Sequence, residues 1–527
     1  MTGSNTMSLQ PDDKPRSPAH TAGGLTRRRL SSSALAAAAL ASGVLGRPRP
    51  AEAGDKTLTV GSAVFPDSLR PGISSFQSLN LMIQTNDPLI ARDNVGNLHP
   101  ALATSWQQVA DTTTRFSLRQ GVKCHDGAEY TAEDVAFTIG RIVDPQTAYG
   151  MLARIGAVTG ATVVDKYTVD IHTKAVFPTL LKGLSDIVME VKHYYDKVGP
   201  NGVQAHPMGT GPWVYQKWTP GDRYEMTAHK GYWDGAPKVD RLVLREIPDA
   251  ATRVASLVSG ETQIIEEVPI DLIGQVSSSG AAKVDEVTSS VGLVLTYDVR
   301  SPPFDNPKVR LALDYAVDKP TILREILKGH GELLQGQLLT KATFGHNPNL
   351  KARPYDPDKA RALLKEAGYD TGTPVPITTQ SSKYVSDVDI ANAVAGMLSQ
   401  VGVNASVSVT EGGVFLQKWR AFKMGPMYMV GWYSLGDADF ATTWYTKGGM
   451  RTVWVNDEFE RLFTEGRSTN DEARRLKAYH RMMEIMYDEN PSMYLFGLPS
   501  LYGVSTKIAG FGAAADKLLR VTKTDFV

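Results

Sequence analysis

At 527 residues, with 42% hydrophobic, 8% aromatic and 21% charged residues, the chain has a globular composition and exceeds what one hydrophobic core supports, so more than one lobe is expected. Its 56 basic residues balance 56 acidic ones, and no basic run follows Arg49, which argues against a nucleic-acid partner. The single cysteine, Cys124, excludes an intrachain disulfide and a cysteine-based zinc site, and leaves the compartment to be read from the N-terminus.

There, a polar stretch through Lys14 gives way to Thr26-Arg27-Arg28-Arg29-Leu30 and then to the Ala- and Leu-rich run Ala34–Leu45. That run is too short to span a bilayer. The small residues Ala51-Glu52-Ala53 that follow have the A-x-A arrangement of a signal-peptidase site, which places the mature N-terminus near Gly54. The paired arginines resemble a twin-arginine export signal, with ordinary Sec export as the alternative. No cysteine follows the apolar run and no later segment approaches the ~20 apolar residues of a membrane helix, so no membrane anchor is expected.

Thr57–Ala63 alternates as a strand, and Pro66-Asp67 and Pro71-Gly72 break it before a helical stretch, Ser78–Asn86. Phe116-Ser117-Leu118 reads as a strand and Asp126-Gly127 as a turn. Thr131 and Asp134 have capping-box spacing ahead of a helix with Val135, Ile139 and Ile142 on one face. Gly209-Thr210-Gly211-Pro212 opens a strand-rich region that runs to Pro248 and reverses at Pro220-Gly221 and Asp234-Gly235. A strand over Leu293–Asp298 ends at Ser301-Pro302-Pro303, which reads as a lobe boundary, and the second half is richer in helices. Asn306-Pro307 and Asp356-Pro357 read as cap and first helical position, the second helix stopping before Gly368. Apolar stripes at Ile390, Val394, Met397 and Val401 and at Leu476, Tyr479, Met483 and Met486 are core faces, and the chain crosses back after Asn490-Pro491.

Enzyme signatures are missing. Gly503-Val504-Ser505 and Gly72-Ile73-Ser74 lack the second glycine of a nucleophile elbow, and the ten histidines have no metal-binding spacing on a helix. No phosphate loop or dinucleotide fingerprint occurs, so no cofactor is expected. The neighbouring acids Glu266 and Glu267 should point to opposite faces of a strand and be solvated.

Several segments occur in a telling order: Pro100-Ala101-Leu102-Ala103-Thr104-Ser105-Trp106, Phe116 to Gly127, Thr131-Ala132-Glu133-Asp134-Val135, Gly209 to Pro212, Tyr232-Trp233-Asp234-Gly235, Pro303 to Arg310, and Tyr355 to Ala360. From about Pro100 to Pro499 the chain resembles the extracellular solute-binding proteins of family 5, which include dipeptide-, oligopeptide-, glutathione-, opine- and nickel-binding proteins. The resemblance implies an α/β, two-lobed periplasmic-binding-protein (type II) fold with an extra subdomain inserted in the first lobe. It implies no enzyme, but a periplasmic, monomeric receptor that closes on a peptide or small solute and delivers it to an ABC permease. An exported hydrolase using an acid pair, or a chemosensory binding protein, is the alternative.

On that resemblance the chain divides into a signal peptide with a polar N-terminus (1–53), a first segment of lobe I (54–85), the inserted subdomain (86–205), a second segment of lobe I (206–298), lobe II (299–489) and a return to lobe I (490–527). In peptide-binding relatives an aspartate after a Gly-Trp segment pairs with the ligand ammonium. Here that position is Asp437, with Ala438 where relatives have proline, and Trp432 and Tyr433 would form a flat wall. Ser74, Ser75 and Phe76 match a loop that offers groups to an extended ligand, and Lys383 and Tyr384 match a carboxylate-binding pair.

Overall fold

Two long strands run from one half of the molecule into the other and fix the architecture. The computed structural model describes residues 55–66, 68–69, 76–147, 149–381, 383–447 and 453–527. The expected export signal, its cleavage site and the loop residues Ser74 and Ser75 lie outside the described residues.

Strand β1 (Thr57–Ser62) alternates buried Leu58 and Val60 as its sequence requires, and leads to helix α1 (Phe76–Thr85). The next segment builds a separate four-stranded antiparallel sheet in the order β2-β3-β5-β4, from β2 (Ala103–Ala110), β3 (Thr113–Leu118), β4 (Val158–Asp165) and β5 (Thr168–Thr173). Helix α2 (Ala132–Val143) packs on it through Val135, Ile139 and Ile142, and its N-terminus is closed by the Thr131 N–H donating to Asp134 at 2.9 Å. The short helix α3 (Leu180–Leu184) joins the same core through Leu180 and Leu184.

The chain then returns to the main sheet with β6 (Trp213–Thr219), β7 (Arg223–Ala228), β8 (Arg241–Glu246), helix α4 (Ala250–Ser259) and β9 (Ile264–Glu266). The turn ahead of β6 explains two of the sequence motifs. Thr210, Tyr232 and Trp233 all donate to the buried Asp87 carboxylate at 2.8–2.9 Å, while Gly209 and Gly211 lie so close to Thr85 and Asn86 that a Cβ would sit 2.4–2.5 Å from them.

The crossing strand β10 (Ala282–Tyr297) follows, then helices α5 (Pro307–Ala316) and α6 (Pro357–Glu366), capped by Asn306 and Asp356. Strand β11 (Pro374–Gln380), helix α7 (Asp387–Gln400), strands β12 (Asn404–Thr410) and β13 (Met427–Tyr433), and helices α8 (Asp457–Arg467) and α9 (Glu472–Glu489) complete the second half. Strand β14 (Ser492–Ser505) carries the chain back, and is buried at every position, as a central strand covered on both faces must be.

The named strands of the main sheet lie in the order β12-β11-β13-β10-β14-β9-β1-β8-β7-β6, with Glu332–Leu333 added on β14. On one side of the β10–β14 pair stand the parallel strands β9, β1 and β8; on the other stand β13, β11 and β12. This is the two-lobed α/β architecture, with the small four-stranded unit inserted in the first lobe.

The ladder between β10 and β14 is interrupted in the middle. It pairs Ala282 to Thr288 with Ser505 to Pro499 in the first lobe, and Gly292 to Thr296 with Gly497 to Ser492 in the second, with register shifts between. Ser289 fills the gap by donating its hydroxyl to Leu498 O at 2.8 Å, and Ser290 N–H turns away to Ala515 O. A pair of strands that loses its ladder at one level has its weakest backbone restraint there, which is where two lobes can rotate. Gly292 and Gly497 face each other beside that level, and a Cβ on Gly292 would meet Leu338 O at 2.4 Å.

Candidate functional site

In the first lobe, β1, β8 and β9 are parallel and end at Ser62, Glu246 and Glu266. Glu266 pairs with Tyr502, on the side of Val504 from which β14 arrives out of the second lobe, so these carboxyl ends face the space between lobes. Ligands of open α/β sheets bind at such carboxyl ends. A cavity there is lined by Ser62, Phe65, Asn80, Leu81, Glu266 and Glu267.

The structure corrects the expectation that both acids are solvated on opposite faces. Glu267 is exposed, but its backbone is left-handed at φ 56°, which breaks the strand alternation and brings both carboxyl groups to the rim of one cavity. Glu266 is half-buried, and accepts hydrogen bonds from Ser62 Oγ and, at 3.1 Å, from Asn80 Nδ2. Loss of water around the carboxyl raises its pKa to about 7, and the neighbouring Glu267 charge adds to the rise. The turn is held by the buried Arg253, whose guanidinium donates to Ile247 O, Glu266 O and Glu267 O at 2.8–3.1 Å.

In the second lobe the end of β13 presents Gly431, Trp432 and Tyr433. Alternation along the strand separates the two aromatics. Trp432 is 9% exposed and stacks on Trp444 with centroids 4.9 Å apart, and its indole N–H donates to Tyr445 OH at 3.3 Å. Tyr433 is on the other face, with Arg154 of the inserted unit 5.5 Å from its ring. Arg154 stands 3.5 Å from Asp186, which pairs with the buried Arg92, itself 3.4 Å from Asp516. Burial raises the Tyr433 phenol, so it stays protonated and can donate. Tyr384 lies against Gly431 on this same face, where a glycine Cβ would come within 2.7 Å of its ring. Lys383 is exposed, and its backbone N–H donates to Asp387 at 2.8 Å. Phe76 is the first residue of α1.

Asp437 is 1% exposed. One carboxylate oxygen accepts from Arg475 Nη2 at 2.9 Å and from the Asp439 N–H at 3.1 Å, capping the short helix Ala438–Thr442, while the other faces Lys182 Nζ at 3.3 Å. The acceptor sites that an incoming ammonium would use are therefore held by two cations of the chain itself. Neither Lys182 nor Arg475 stood out in the sequence, because the first is 255 residues from Asp437 and the second lies among charged neighbours at the start of α9. Glu266 could have been suspected from its place at the end of the apolar Ile264-Ile265 strand.

No group of three or more His, Cys, Asp or Glu side chains suited to a metal occurs among the described residues, and none of their helices is long and apolar enough to cross a membrane. The sequence profile of the bacterial extracellular solute-binding proteins, family 5, matches residues 97–451. The chain belongs to this family. The family 5 protein is 29% identical over 451 residues to the dipeptide-binding protein of Escherichia coli K12, covering 78% of this chain and 83% of that one. It is 27% identical over 444 residues to a glutathione-binding protein of Shigella flexneri, covering 81% and 86%. Its fold matches the periplasmic binding protein DppA of Helicobacter pylori, solved with the peptide STSA, at a TM-score of 0.79 and 23% identity over 89% of this chain and 98% of that one. As a family 5 member it is a solute-binding protein and not an enzyme, and the hydrolase alternative is not favoured.

Proposed function

We propose that this chain captures a peptide or another small amino-bearing solute between its lobes and delivers it to an ABC permease, after export and removal of its N-terminal segment near Ala53/Gly54. The observation that supports this most is the β10–β14 pair, whose ladder lapses at Ser289–Val291 between two lobes that each carry polar groups toward the gap. Rotation about that level brings Glu266, Ser62 and Asn80 of the first lobe toward Tyr433 and Tyr384 of the second. A solute that touches both sets stabilises the closed form by the contacts the open form lacks. The permease then distinguishes closed from open by shape.

Names of relatives support a solute of peptide size, since similar chains are a dipeptide- and a glutathione-binding protein. A carboxyl poised near neutrality in the cleft suits an amine or amide donor on the solute. Ser74, Ser75 and Phe76 would add backbone-directed contacts to an extended solute. The test is a thermal-shift screen with peptides, opines, sugars and metal chelates, followed by mass spectrometry of the solute. One class should raise Tm and be recovered unaltered. Recovery of a cleaved product contradicts the reading.

A further inference from the structure

Lys182 crosses from the inserted unit to the second lobe. Its helix α3 is anchored by Leu180 and Leu184 in the core of that unit, and at Gly183 it lies so close to Arg154 that a Cβ would be 2.2 Å from Arg154 O. The lysine stem thus leaves a rigid base. Its ammonium donates to Gly436 O at 2.8 Å and faces the Asp437 carboxylate at 3.3 Å. The receiving turn is shaped for this contact, with Leu435 and Gly436 both left-handed at φ 49° and 73° and Asp437 fixed by Arg475 and its own helix cap. Two other contacts join the same two bodies, Arg154 against the Tyr433 ring and Asn470 Nδ2 donating to Gln108 Oε1 at 2.6 Å.

We infer that Lys182 is an internal latch: seated on Gly436 O and Asp437, it supplies a second cation to this acidic socket and keeps a fraction of the molecules closed before any solute arrives. The inference rests on the hinge reading above and adds to it a named contact that sets the closed population. The side chain of Lys182 is 26% exposed, while that of Asp437 is 1% exposed. The pair is therefore shielded enough for a charge-assisted bond to count, yet opening returns only the flexible lysine to water. Arg475 stays behind to satisfy Asp437, so the open form does not strand a buried charge.

The experiment uses the solute-free protein with spin labels at Val163→Cys on the inserted unit and Val455→Cys on the second lobe, both exposed positions. The native Cys124 is buried and takes no label. Double electron–electron resonance should show a short-distance, closed component. Lys182→Met should lower the ratio of closed to open by about tenfold, the scale of one partly shielded charge-assisted bond. Lys182→Arg, which keeps the cation, should retain most of it. Two populations that do not respond to Lys182→Met, or a native protein with no closed component, overturn the latch and leave the hinge standing. One fixed distance in every variant that also stays unchanged when the solute that raises Tm is added overturns both.

Discussion

Ser62, the last residue of β1, donates its hydroxyl to Glu266, the last residue of the neighbouring parallel strand β9. That hydroxyl and Asn80 favour the charged carboxylate, yet lost hydration outweighs them and lifts the carboxyl to about 7 from an ordinary 4.5. A carboxyl raised by folding contributes stability that is complete below about pH 4.5 and lost as pH rises through about 7. Glu266→Gln removes the loss. It is expected to flatten the fall in Tm across that window and to stabilise the protein at pH 8 by on the order of 1–3 kcal/mol. Calorimetry from pH 4.5 to pH 8 checks this, and parallel curves for the two proteins would contradict it.

Gly292→Ala tests the hinge packing. The new methyl would stand 2.4 Å from Leu338 O, a backbone atom that cannot swing aside, so a cost of about 1–3 kcal/mol is expected. Gly160→Ala, where nothing lies within 4 Å, is the control and should change stability by less than about 0.5 kcal/mol. Equal denaturation midpoints for the two variants would show that Leu338 does not pin the strand.

Arg475→Met removes the guanidinium that stays with Asp437 when Lys182 departs. Deleting the buried partner leaves the carboxylate with the partly exposed Lys182 alone, and with no cation once the lysine departs, so a loss of about 3 kcal/mol is expected. Urea titration measures it. A loss below about 0.5 kcal/mol would mean that solvent or another donor reaches the carboxylate.

Cys124 is buried within the inserted unit, and burial pushes its thiol up to about 12. Native protein at pH 8 should resist iodoacetamide while unfolded protein reacts, as mass spectrometry would record. Equal labelling of the two forms would contradict the placement.

Local rules carried most of the fold reading. Thr131 with Asp134, Asn306 with Pro307 and Asp356 with Pro357 all open helices, and Gly368 follows a helix end with φ of 64°. These signals act within a few residues and therefore survive in a one-dimensional text. The family segments around Gly209–Pro212 and Tyr232–Trp233 prove to be parts of one buried polar knot on Asp87, a structural role. The candidate site was less legible. Period-two alternation misplaced Glu266 and Glu267, because a single left-handed residue turns the chain after β9. It cannot show that Trp432 belongs to an indole stack while Tyr433 faces the other lobe, until the burial of each face of β13 is known. Lys182 and Arg475 meet Asp437 only through tertiary packing.

The central claim is that two lobes close reversibly on a solute about the lapse between β10 and β14. Small-angle scattering of the protein with and without the solute that raises its Tm tests this most directly. The account predicts a smaller radius of gyration on addition, reversed by dialysis, with the solute recovered intact. Superimposable curves at saturating solute would contradict it.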